Sequence, residues 1–243
     1  MRITLADCEI MILSTPGEHA RTGAVAGLCT RLGLPHTVVD AIECSSPIVG
    51  LGCGLSHFKA LRRWDGTRPL LLLEDDVAAT NVYQPWLDLP DDADAAWLGL
   101  SIYGAVKALS YVGFTNLPAA ERVNDGLARI YNMLAAHAVL HITPRWRDAA
   151  CDAIMDCLLE RNWPHDCGFA RIQTAHRVYA PVAPYFYQAA ELQPPEIAAV
   201  RQGATLMTLP IISEGEVLQL EVEGNPYPVR LDRVGEALEW CPC

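Results

Sequence analysis

Three consecutive acids close an uninterrupted apolar run: Leu70-Leu71-Leu72-Leu73 leads straight into Glu74-Asp75-Asp76. Four leucines in a row read as a strand covered on both faces. In open α/β sheets, ligands bind beyond the carboxyl ends of such strands. Adjacent carboxylates repel one another, which favours a cation between them, and an all-oxygen donor set suits Mg²⁺ or Mn²⁺. Water and substrate phosphates would fill the remaining coordination positions. The plainer alternative is a solvated strand end or a helix cap.

The surrounding pattern supplies a scaffold for these acids. Residues 9–13 read as a short buried strand, and Ser14-Thr15-Pro16-Gly17 as a turn and helix cap. Ala20, Ala24, Val25, Leu28 and Leu32 then share one helical face that ends at Gly33. Residues 37–39 form a second strand ending at Asp40, which completes a β-α-β unit. A glycine-rich stretch, 50–54, opens a helix through Ser56, His57, Phe58, Leu61 and Trp64. Residues 96–100 read as a fourth strand, and 101–126 as a long loop. After a strand at 138–142, Thr143-Pro144 supplies an N-cap and a first-turn proline. The helix it starts should stop near Asn162, and a short strand follows at 178–180. Beyond about residue 195, Leu218, Leu220 and Val222 alternate with polar residues, and Gly224-Asn225-Pro226 turns the chain toward a return strand at 229–231. The expected fold is therefore α/β, with a main domain over 1–195 and an appendage holding a β-hairpin over 196–243. That hairpin must dock on the main domain or on a second copy, as a homo-oligomer contact, because a bare hairpin is marginal in water.

Two segments together resemble glycosyltransferase family 25, whose members include lipooligosaccharide and collagen galactosyltransferases. They are Gly52-Cys53-Gly54-Leu55-Ser56-His57 and Leu72-Leu73-Glu74-Asp75-Asp76-Val77. The second is similar to that family's version of the Asp-x-Asp metal motif of GT-A folds. Glu18 and Arg21 sit where the family has a Glu-Arg-Arg segment, and Leu32-Gly33-Leu34-Pro35 through Asp40-Ala41-Ile42 is similar to its second strand. Asp166 resembles the acid of its Pro-x-Asp step, and Val178-Tyr179 through Gln188 resembles a later stretch. The resemblance covers residues 8–190. It departs after Gln188, where Ala189-Ala190-Glu191 replaces a polar step, and the last 45 or so residues match nothing in the family.

The resemblance implies a GT-A-like, Rossmann-type mixed sheet flanked by helices. It also implies metal-dependent transfer of a galactose-like sugar from a UDP-sugar to a hydroxyl acceptor, with Mn²⁺ or Mg²⁺ as cofactor. Glu74 and Asp76 would face the metal and donor, with Asp75 between them on the other side. Ser56 and His57 take a donor-site role from the resemblance alone; otherwise His57 reads as a core histidine. Thr15, Arg21 and Asp40 lie at strand ends where a nucleotide would sit, with capping and surface charge as their alternatives. An inverting displacement needs a base for the acceptor hydroxyl. Asp166 is the candidate, Asp125 the next, and an N-cap is the competing reading of Asp166. His165 and His176 read as surface histidines more than as late metal ligands.

Composition narrows the field. The 243 residues are 51% hydrophobic and 19% charged, which excludes a disordered chain. A net charge of −11 opposes sequence-independent binding to nucleic acid or anionic lipid. No secretory signal and no uniformly apolar span is evident, and nine scattered cysteines without a CxxC pair fit reduced thiols in the cytoplasm. Cys241-Pro242-Cys243 reads as a frayed end. Two rival functions remain open: a nucleotidyl- or phosphotransferase built on the same acidic strand end, and a non-catalytic binding module on a degenerate transferase fold.

Overall fold

A computed structural model describes residues 1–44, 50–106, 113–115, 117–161, 163–189, 192, 209, 211–222 and 225–243. Strand β1 (Glu9–Ser14), helix α1 (His19–Arg31) and strand β2 (Thr37–Asp40) form the expected parallel β-α-β unit, with Met11 opposite Thr37 and Ser14 opposite Asp40. Past α1, Gly33 takes φ 68°, a left-handed conformation that glycine adopts without strain. Helix α2 (Leu51–Arg63) leads to strand β3 (Leu70–Glu74), which lies parallel to β1.

The elements that build the rest of the sheet and its surroundings include β4 (Val77–Ala79), β5 (Ala95–Trp97), β6 (Ala120–Asn124), β7 (Leu127–Ile130), β8 (Ala138–His141), α3 (Pro144–Met155), α4 (His165–Ile172), β9 (Val178–Pro181) and β10 (Phe186–Gln188), and short strands at Arg2–Thr4 and Trp86–Asp88 pair apart from the main sheet. The main sheet runs β6-β7-β9-β5-β8-β3-β1-β2. It is mixed because β8 inserts antiparallel between β3 and β5. The four leucines of β3 are fully buried and split between two cores. Leu70 and Leu72 pack with Leu61, Trp64, Trp146 and Phe169 under α2, α3 and α4; Leu71 and Leu73 pack with Val25, Leu28 and Cys29 of α1. Burial of each such side chain contributes about 1.5–3 kcal/mol, so this strand is held on both faces and its acidic end is fixed. The N-cap of α3 is as expected, with Thr143 Oγ1 accepting the Trp146 N–H at 3.2 Å.

Several expectations are corrected. The stretch 101–126 is not all loop: it holds short strands at Gly104–Val106 and Gly113–Thr115, and then β6. Strands β6 and β7 were not foreseen, because segments of five and four residues are too short to show a clear period. Residues 107–112 and 116 lie outside the described residues. The regular part of α3 ends at Met155 and widens into a π-helical turn over Asp156–Arg161. A further helix, α4, follows Pro164.

The tail is three-stranded, not a simple hairpin: β11 (Val217–Val222), β12 (Asn225–Val234) and β13 (Ala237–Pro242). Strand β12 already begins at Asn225, opposite Val222, and not at 229. Gly224 lies outside the described residues. Cys241 and Pro242 pair with Arg230 and Val229, so this end is laddered and not frayed. The tail docks on its own chain: Val229, Leu231, Leu238 and Trp240 pack with Val106, Ala119 and Tyr131. Leu209 is also buried in the main core. Among the described residues no helix is long and apolar enough to cross a membrane.

Candidate functional site at the carboxyl end of β3

Only Glu74 belongs to β3; Asp75 and Asp76 form the tight turn into β4, and the three acids take different partners. Asp75 turns toward the β1 end and is 1% exposed. Its carboxylate accepts the Thr15 backbone N–H at 2.6 Å and Arg21 Nη2 at 2.7 Å. Thr15 thus contributes its main chain, from the turn expected after β1. Arg21, one turn into α1, also lies 3.6 Å from Asp76 Oδ2. A planar guanidinium held this way at a strand end is suited to phosphate oxygens.

Glu74 and Asp76 turn to the other side. Strand β10 pairs with β4 and sets Gln188 opposite Val77. The Gln188 side chain then reaches both acids, with Nε2 at 3.4 Å from Glu74 Oε2 and 3.3 Å from Asp76 Oδ2. Two carboxylates aimed at one amide form an oxygen donor pair, which fits a divalent ion of the Mg²⁺ or Mn²⁺ class. Gln188 ends the stretch that resembles the family's, but the β4–β10 pairing is what sets it against Glu74 and Asp76.

The second oxygen of Glu74 faces α2. His57 Nε2 is 3.1 Å from Glu74 Oε1, and Cys53 Sγ donates to the same oxygen at 3.7 Å. Cys53 and His57 are four residues apart, so one helical face presents both. Ser56 is committed elsewhere: its hydroxyl donates to the Gly52 carbonyl at 2.6 Å and accepts the Ile42 N–H at 2.7 Å, tying α2 to the segment after β2. Gly54 lets α4 approach, since a Cβ there would sit 2.8 Å from Leu158 Cδ1 and 3.0 Å from His165 Cβ. The result is a stacked pair, with the rings of His57 and His165 at 4.4 Å. Burial pulls His57 down to about 4 and His165 to about 4, with Asp166 pulling the other way, so both are neutral imidazoles at pH 7.

Not every predicted residue converges. Asp166 sits in the first turn of α4, where Oδ2 accepts the Ala135 N–H at 3.1 Å. Ala135 takes φ 71°, which no other non-glycine does among the described residues, so this bond steadies an unusual backbone position. The same carboxylate acts electrostatically on Cys53, His57 and His165, which places it beside the site. Asp40 is exposed at the end of β2, two strands from β3. Asp125 is exposed in the β6–β7 turn, four strands and roughly 19 Å from β3 at ~4.8 Å per strand. His165 is not a surface histidine; it is 6% exposed. His176 lies 3.4 Å from Asp94, at the opposite end of the sheet. The sequence reading gave Cys53 no role beyond its place in the Gly52–His57 segment, and it weighed His165 as a metal ligand but favoured a surface position. The Cys-x-x-x-His spacing was the available signal for the first, and nothing in the sequence brings His165 to it.

No protein-family model and no curated protein matches the chain. Among solved structures, a glycosyltransferase involved in glycosylation of the major capsid of PBCV-1 is 12% identical with a TM-score of 0.37, over 63% of this chain and 69% of that one. A nucleoside-diphosphate-sugar pyrophosphorylase from Vibrio cholerae RC9 is 11% identical with a TM-score of 0.43, over 82% of each. Likeness at this level carries no argument about activity.

Proposed function

We propose that the chain is a metal-dependent glycosyltransferase of GT-A type that moves a galactose-like sugar from a UDP-sugar to a hydroxyl acceptor with inversion. One observation carries the reading: Glu74 and Asp76 converge on Gln188 at the carboxyl end of a doubly buried strand, beside an arginine that Asp75 fixes in place. When bound there, Mn²⁺ or Mg²⁺ neutralises the diphosphate leaving group. Arg21 takes phosphate oxygens, Asp75 and the Thr15 amide orient it, and Asp40 faces the nucleoside side at the end of β2. His57 holds one oxygen of Glu74, which leaves the other for the donor side, and Ser56 anchors the helix that carries His57. Asp166 accepts the proton of the acceptor hydroxyl as the new glycosidic bond forms.

The test is donor hydrolysis and transfer with UDP-, GDP- and CMP-sugars, with and without Mn²⁺. Metal-dependent turnover of a UDP-sugar is expected. Cleavage of nucleoside triphosphates alone would favour a nucleotidyl- or phosphotransferase, and no turnover with tight sugar binding would favour a binding module. For Asp166→Asn, transfer should fall by ~10² to 10⁴ while donor affinity stays within a few-fold. Near-normal transfer would leave Asp166 with only its structural bond to the Ala135 N–H; it is not the N-cap of α4, which is Pro164.

A further inference from the structure

We propose that Cys53, His57, Glu74 and His165 form a binding site for a thiophilic divalent cation of the zinc class, distinct from the oxygen pair that faces the donor. Each residue offers one ligand atom, and the four atoms all lie within 4.8 Å of one another. Two of these separations are 3.1 Å, from His57 Nε2 to Glu74 Oε1, and 3.7 Å, from Cys53 Sγ to Glu74 Oε1. Tetrahedral zinc with bonds of ~2.0–2.3 Å requires ligand–ligand edges of roughly 3.3–3.7 Å. The widest separations therefore need to close by about 1 Å, within the reach of side-chain rotation.

The donor chemistry selects the ion. One sulfur, two imidazole nitrogens and one carboxylate oxygen suit Zn²⁺ and not Mg²⁺ or Ca²⁺, which take oxygen ligands. A simple hydrogen-bond cluster accounts for the Glu74–His57 contact but not for His165. That residue is 6% exposed, yet its Nε2 has no hydrogen-bond partner among the described residues. A buried ring nitrogen without a partner is costly, and a cation is one way to satisfy it. The walls are preformed: Phe169 packs edge-on against both rings, at 6.1 Å from His57 and 5.6 Å from His165. Cys53 is exposed as a residue, at the edge of the cluster, while its thiol is turned in beside Glu74, where burial pushes its pKa well up.

Binding forms a Cys53 S–metal bond, and the thiol proton passes to solvent. The cation would join α2, β3 and α4 and hold Glu74 by Oε1, so that Oε2 keeps its direction toward Gln188 and Asp76. The two sites share Glu74 alone. This inference does not depend on the sugar-transfer reading.

The experiment uses the full chain, stripped of metal with a chelator and titrated with Co²⁺ alone and Zn²⁺ alone. Co²⁺ should give intense tetrahedral d–d bands and a thiolate-to-metal charge-transfer band, and Zn²⁺ should displace it at one equivalent. Calorimetry in two buffers of different ionisation enthalpy should register release of about one proton. Cys53→Ser should abolish the charge-transfer band, and His165→Gln should weaken Zn²⁺ binding by at least about 100-fold. Asp76→Asn should leave the cobalt spectrum unchanged while removing metal-dependent UDP binding, so the failure of one reading is distinguishable from the failure of the other. If His165→Gln does not fold, Cys53→Ser, at an exposed position, still decides the matter. Octahedral cobalt bands without charge transfer, or Zn²⁺ affinity indifferent to Cys53→Ser, would overturn the proposal.

Discussion

Asp75 and Asp76 are neighbours, yet their substitution should have very different consequences for stability. Asp75 is buried and accepts two hydrogen bonds, one from the Arg21 guanidinium at 2.7 Å and one from the Thr15 amide at 2.6 Å. Breaking a buried ion pair by removing one partner costs about 3–5 kcal/mol. Two features reduce that here. Thr15 is exposed, so water can replace its lost acceptor, and Arg21 already lies 3.6 Å from Asp76 and can shift toward it. Asp75→Ala should therefore lose about 2–4 kcal/mol. At ~2–4 °C per kcal/mol for a chain of this size, Tm falls by roughly 4–16 °C. Asp76→Asn keeps an oxygen for Gln188 and relieves repulsion among the three acids, so its stability should stay within about 1 kcal/mol of the parent or rise. Urea unfolding gives both free energies, and calorimetry with UDP plus Mn²⁺ gives the binding. Metal-dependent binding should vanish in Asp76→Asn despite its intact fold. An Asp75→Ala protein as stable as the parent, or undiminished UDP and Mn²⁺ binding by Asp76→Asn, would refute this division of roles.

Three further outcomes are expected. Gly168→Ala should destabilise by about 1–3 kcal/mol in urea unfolding, because a Cβ there meets the Ala153 carbonyl oxygen at 2.6 Å and α4 must move off α3; a stabilised variant would contradict that packing. Burial pushes the Asp94 carboxyl up, but hydrogen bonds from Arg145, the Arg177 amide and Thr143 outweigh it, and its pKa is net lowered. Its contribution is thus full above the unfolded value of ~3.9 and is lost as pH falls through the folded value; Asp94→Asn should flatten unfolding free energy against pH in that acid window, and an unchanged slope would count against it. Deleting residues 203–243 should expose Val106, Ala119 and Tyr131, lowering solubility and Tm; unchanged hydrodynamic size and melting would contradict the docking of the tail.

Local pattern was enough for the first half of the fold. The β-α-β unit, the strand of four leucines and the Thr143-Pro144 helix start are legible because each rests on neighbours in sequence: a period, a cap, an apolar run. Glu74 and Asp76 stood out for the same reason, since three acids after a buried strand have a meaning of their own. The β6–β7 hairpin is fixed in the sheet by the pairing of β7 with β9, some fifty residues further on, and segments of four and five residues are too short to carry a clear period. Arg21, Thr15 and Gln188 were named from the sequence, but which acid each would pair with was out of reach. Gln188 arrives through a β4–β10 pairing across more than a hundred residues, and His165 through a helix contact that Gly54 permits. Sequence thus determined which strand ends in acids. Only tertiary packing decided that Asp75 would hold Arg21, that Glu74 would share its two oxygens between Gln188 and His57, and that a cysteine and a second histidine would close on the same carboxylate. Those contacts join residues 17 to 114 positions apart, and close packing of α2, β3, β10 and α4 is what sets their distances.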